Sequence, residues 1–201
     1  MDRTCRQWTT FALAVSALSM SLALASTEVE EVGKQQVEAD FRSGGSLKLD
    51  LCSSEAKIVG VEKGGVRVAY DSKKDTSKVR VRLKLSGSEG TVTVENCPHE
   101  DFKMTIEIPR STDLQVHMAA GELNIDDVTG SKDLEMHAGE MNVELGRTED
   151  YASVKASVMT GEVDAPPYNA NKGGLFRSIE RTGPGRYHLV AHVGAGQLTL
   201  H

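Results

Sequence analysis

Aromatic side chains make up only 4% of the chain. The single tryptophan, Trp8, lies near the N-terminus, and beyond residue 25 only Phe41, Phe102, Phe176, Tyr70, Tyr151, Tyr168 and Tyr187 remain, scattered one at a time. Carbohydrate-binding faces and single-strand nucleic-acid platforms rest on clustered rings, so an extensive one is excluded. Basic residues are also outnumbered, 23 Lys and Arg against 29 Asp and Glu, a net charge of −6. That deficit argues against phosphate-backbone binding and against electrostatic attachment to a membrane surface. No segment combines helical periodicity with helix caps. There is no Gly-x-Ser-x-Gly, no Walker loop and no His-x-x-x-His pair. Gly183-Pro-Gly185 and Gly194-Ala-Gly196 lack the third glycine and following helix of a dinucleotide fingerprint. These absences point away from nucleophilic, nucleotide-dependent and helix-borne metal chemistry.

The first 25 residues read as a targeting segment. Arg3 and Arg6 precede an apolar run from Trp8 to Leu24 that ends in Ala23-Leu24-Ala25, a small-x-small cleavage signal. Thr9, Thr10, Ser16, Ser19 and Ser21 dilute the run, and no later stretch approaches the roughly 20 apolar residues of a spanning helix. Cleavage and export are therefore expected, to the periplasm or cell envelope. Cys5 would leave with the signal, and no cysteine sits at the position a lipoprotein anchor requires. Asp2, Arg3 and Arg6 carry a net +1, so the remainder carries −7. Two cysteines are left, Cys52 and Cys97, and in an exported protein an even pair reads as a disulfide. Closing that loop would constrain the unfolded chain by about 4 kcal/mol in the chain-entropy model.

A degenerate strand template fills much of the rest. Leu114–Ile125 and Leu189–Leu200 both read apolar at positions one, three and five, glycine at eight, and apolar at ten and twelve. Val154–Ala165 fits it, Lys132–Val143 fits with a lapse at its first position, and Leu47–Ile58 fits with Ser54 in place of glycine. Alternating positions share one strand face. The step from position five to ten is odd, so the side chains stay inside only if the chain bends. Gly121, Gly139, Gly161 and Gly196 fall in that bend, where positive φ or close stacking is required. Self-similarity of this kind predicts stacked units, here a short β-solenoid.

Ahead of the repeats the texture is that of antiparallel strands. Residues 26–45 read as an extended arm or edge strand, and residues 46–201 as one β-repeat domain. Val79-Arg-Val-Arg-Leu-Lys-Leu85 alternates four apolar with three basic residues, and Ser86-Gly-Ser-Glu-Gly90 turns it into Thr91–Glu95 as a hairpin. Arg80, Arg82 and Lys84 form the wet face of that strand. Phe102–Ile108 is a further strand, ended by Pro109, and Leu175–Glu180 is an extra strand inside a Pro- and Gly-rich loop.

The strand ending Ile106-Glu-Ile-Pro109, the steps Gly121-Glu-Leu, Gly139-Glu-Met and Gly161-Glu-Val, and the ending His192–Leu200 resemble bacterial envelope domains of unknown function labelled putative adhesin. The resemblance spans about Leu47 to His201. It implies an exported, β-solenoid-like fold and brings no catalytic residues.

The glutamates after the repeat glycines, Glu122, Glu140 and Glu162, with Glu55 in the matching earlier place, form the sharpest chemical pattern. A carboxylate column could hold divalent cations. Against it, charges about 4.8 Å apart in water repel by only about 0.9 kcal/mol, so a solvated ladder needs no ion. His117 and His192 share a template position, but three coil steps, about 14 Å, would separate them. The sequence thus predicts an exported, all-β, non-catalytic structural or protein-interaction module without a cofactor. Self-association or a protein partner is expected on the open edge of the C-terminal strand, Leu189–Leu200, which carries no charge. The alternatives are a small β-helix enzyme or binding protein for an acidic polysaccharide, using Glu122, Glu140 or Glu162, and an accessory subunit of a membrane protein.

Overall fold

Glycine at a bend and alternation on either side of it dictate the architecture. A computed structural model describes residues 26–201; the targeting segment expected at residues 1–25, with Cys5, lies outside the described residues. All thirteen described strands belong to one mixed sheet, and the only helical pieces among these residues are two 3₁₀ turns, Thr148–Asp150 and Pro166–Tyr168.

Four long strands carry the template: β9 (Asp113–Asp126), β10 (Lys132–Val143), β11 (Tyr151–Ala165) and β13 (Tyr187–Leu200). Each passes unbroken through its glycine at positive φ, between 127° and 140°. β3 (Ser46–Leu51) and β4 (Ser54–Val61) together form a fifth copy, broken at the corner, and pair with the first and second halves of β9. All these pairings are parallel and in register, so Gly121, Gly139, Gly196 and Gly161 stand side by side in that order. A Cβ on Gly139 would lie 1.9 Å from the carbonyl oxygen of Gly121, and one on Gly196 would lie 1.8 Å from that of Gly139. The backbones touch at the bend, and only hydrogen fits between them.

Apolar columns run through the stack on one side. Leu49, Val116, Leu134, Ala191 and Ala156 form one, Leu51, Met118, Met136, Val193 and Val158 another, and beyond the bend Ala56, Leu123, Met141, Leu198 and Val163 a third; all are buried. A short return closes the step from β9 to β10, with Thr112 N–H donating to Thr129 O (3.1 Å) and Leu114 N–H to Ser131 O (2.8 Å).

Strands joined in parallel to β3 and β4, with antiparallel pairings beyond, extend the sheet at one end. β6 (Arg80–Ser86) and β7 (Glu89–Glu95) form the expected hairpin; β7 pairs with β3, and β1 (Ser26–Val32) adds outside β6. Beside β4 lie β8 (Phe102–Pro109), β5 (Val66–Ser72) and β2 (Gln36–Ala39). At the other end β11 turns through Pro166–Tyr168 and Asn169 (φ 49°) into β12 (Ala170–Thr182), an antiparallel strand longer than the extra strand expected at 175–180.

Chain order corrects two expectations. After β10 the chain leaves a gap one strand wide, builds the β11–β12 hairpin, and returns to fill the gap with β13. A progressive coil-by-coil stack is therefore broken at its last step. Leu189–Leu200 is also not an open edge: it is hydrogen-bonded to β10 on one side and β11 on the other. Its lack of charge reflects a central position rather than an undefended one.

Candidate interaction surface

The glutamate column is real but interrupted. Register places Glu55, Glu122 and Glu140 on successive strands, then Gln197, and only then Glu162. The Lys103 ammonium pairs with Glu55 (2.5 Å), Asn124 Nδ2 donates to Glu122 (2.8 Å), and Asn171 Nδ2 donates to Glu162 (2.6 Å). Among the described residues no group of three or more His, Cys, Asp or Glu has a metal-holding arrangement. His117 and His192 are two strand steps apart rather than three, with Glu135 between them. The His192 ring instead meets Ser157 Oγ (3.0 Å), and that of His188 meets Ser153 Oγ (2.8 Å).

Cys52 and Cys97 are bonded to each other, their Cα atoms 6.1 Å apart. They follow the adjacent ends of β3 and β7, where Cys52 N–H donates to Val94 O (3.1 Å). The bridge thus ties the corner of the broken coil to the loop after the hairpin.

One buried charge lay hidden in the lapse of the template. Lys132 stands between Leu114 and Leu189 in the column and is 2% exposed. Its Nζ donates to Tyr151 Oη (2.8 Å) and Gly130 O (3.3 Å). Burial holds its pKa down, from the usual 10.5 to about 8, against the opposing pull of Asp113 and Glu144. Burial likewise pushes the Tyr151 hydroxyl up. Tyr151 also lines a cleft of about 190 Å³ between the return loops. The arginines there are neutralised: Arg110 by Glu62 (3.2 Å) and Asp127 (3.3 Å), Arg147 by Asp150 (2.6 Å).

β12, like β1 and β2, is hydrogen-bonded on one side only, so half of its backbone donors and acceptors point away from the protein. Ile179 is its one buried residue. Leu175 is 61% exposed and Phe176 78% exposed, and the register sets them beside Met159 of β11, which is 49% exposed. Phe176 has a positive φ of 51°, an outlier for a bulky residue. Three of the five exposed large apolar residues among those described thus share one corner.

The same strand carries Lys172, Arg177 and Arg181. Among the described residues, every other exposed strand lysine or arginine has a carboxylate partner: Lys48, Lys57, Arg67, Arg80, Arg82, Lys84, Lys103 and Lys155. The three on β12 have no carboxylate partner: they donate to the backbone carbonyls of Ser178 (2.8 Å), Gly173 (3.0 Å) and Glu180 (2.8 Å), and Arg181 also lies over the Tyr168 ring, 5.9 Å from its centre. They stand opposite Val163, Val158 and Val154, on the core-facing side, where they close the end of the apolar columns. Sequence reading missed this surface because β12 lacks the template, being supported from one side alone.

The fold is similar to that of a putative cell adhesion protein from Clostridium sporogenes, with a TM-score of 0.53 and 11% identity over 88% of this chain and 99% of that one. At that identity the likeness is one of fold. No family model and no curated protein matches the sequence.

Proposed function

We propose that this protein is an exported, non-catalytic interaction module of the cell envelope that engages a protein partner along β12. The parallel part is read as a short β-solenoid whose last coil is interleaved, giving a rigid support for that edge. The observation that carries this is the coincidence, on one open edge strand, of an exposed apolar corner and the strand cations that have no counter-ion. Export is supported by the Cys52–Cys97 bridge, since disulfides persist in oxidising compartments. The name of the structural neighbour, a cell adhesion protein, is compatible with an interaction role.

The test is site-specific photo-cross-linking in envelope extract. A photoreactive residue at position 176 is expected to capture a defined protein band, whereas the same residue at position 135, on the central strand β10, is not. Equal capture from both positions, or none from 176, contradicts the reading.

A further inference from the structure

We propose that β12 accepts an acidic, extended polypeptide segment as an added strand, its carboxylates meeting Lys172, Arg177 and Arg181 and an apolar side chain covering Leu175 and Phe176. This rests on the reading of β12 as the docking edge and adds the chemistry of what docks.

Three features select that occupant. The first is the row of outward backbone groups along β12, which pairs with β11 alone. Another strand satisfies such a row residue by residue, and a polysaccharide has no matching repeat of amide donors and acceptors. Sugar recognition would also ask for stacked rings, and Phe176 is the only aromatic residue of β12.

The second is charge. Residues directly opposite across a strand pair lie about 5 Å apart, so an added strand sets its own side chains beside Lys172, Arg177 and Arg181. Apolar side chains there would bury three cations without counter-ions; carboxylates neutralise them. The protein's own carboxylates do not: Glu180 pairs with Lys155 (3.6 Å).

The third disfavours a second copy. β12 carries Lys172, Arg177 and Arg181 against Glu180 alone, so pairing two copies sets a net positive strand against another. The acidic edge at the far end of the sheet is already occupied, because Glu28 is paired with Lys84 (3.0 Å) and Glu30 with Arg82 (3.0 Å) and Arg80 (3.3 Å). An apolar corner flanked by free cations therefore fits a strand of alternating acidic and apolar residues.

The experiment uses the purified protein and a fluorescein-labelled peptide of alternating Glu and Val, read by fluorescence anisotropy and by hydrogen exchange over residues 170–182. Expected is saturable binding that slows exchange in β12. A K172E/R177E/R181E variant should weaken it about tenfold or more. A K63E/K73E/K78E variant, with the same change in net charge at exposed loop positions, should stay within about twofold of the parent. Alternating Lys and Val, and the Glu–Val peptide N-methylated at alternate residues to remove its donors, should bind poorly.

Equal binding of the Lys–Val peptide, or equal losses in the two triple variants, overturns the proposal. So does undiminished binding of the N-methylated peptide. Protection of 170–182 by polygalacturonate but not by peptide assigns the edge to a polysaccharide. Concentration-dependent self-association that protects the same residues assigns it to a second copy. If position 176 captures an envelope protein while the Glu–Val peptide fails to bind, the docking edge stands and the acidic chemistry falls.

Discussion

Lys132 occupies a site at which both flanking strands carry leucine, and that fact has a measurable cost. An amine held at a pKa of about 8 by burial binds its proton less tightly than it does in the unfolded chain, where the value is 10.5. Between those two pH values the unfolded state holds more protons, so raising the pH favours folding; below about pH 8 the penalty is complete and flat. Lowering a lysine from 10.5 to about 8 corresponds to a penalty on the order of 3 kcal/mol at neutral pH. A Lys132→Met variant should therefore gain on the parent in urea unfolding at pH 7.5, with the gap narrowing steadily towards pH 10.5. A gap independent of pH would mean that the buried ammonium is not the cause. The sequence showed this position only as a lapse in the template. A lysine there reads as an outward-facing charge until Tyr151 is seen to reach it from the next turn of the chain.

At the scale of the strand, the glycine column is what allows two legs of sheet to meet at a corner. The alternation of apolar residues and the bend positions were legible because each repeat states them locally. Ser54 departs from the pattern where β3 and β4 are separate strands, and Ser54 lacks the positive φ of the template glycines. Gly139 must tolerate both a φ of 129° and the carbonyl of Gly121, whereas Gly146, at a φ of 66°, has nothing within 4 Å of an added Cβ. Gly146→Ala should cost about 1 kcal/mol for its backbone alone, and Gly139→Ala about 3 kcal/mol or more, because backbone must move as well. Urea midpoints of the two variants check this, and equal midpoints would remove close contact as the reason for the column. The sheet's far end was legible too: Val79–Leu85 alternates strictly, and its basic face meets Glu28 and Glu30 of β1.

For the whole molecule, strand identity was readable and strand order was not. β9, β10, β11 and β13 share one template, so any permutation sets glycine beside glycine and apolar beside apolar. Local sequence cannot distinguish a stack ending in β13 from one in which β13 slides between β10 and β11. The difference moves the open edge of the repeat stack from the C-terminal strand to β12, and with it the proposed docking site. Backbone amide hydrogen exchange on the dilute, monomeric protein tests that most directly. Residues 189–200 should exchange as slowly as those of β9 and β10, while alternate amides of residues 170–182, those pointing away from β11, exchange near the rate of open chain. Fast exchange through 189–200, or uniform protection of 170–182 in the monomer, would contradict the account.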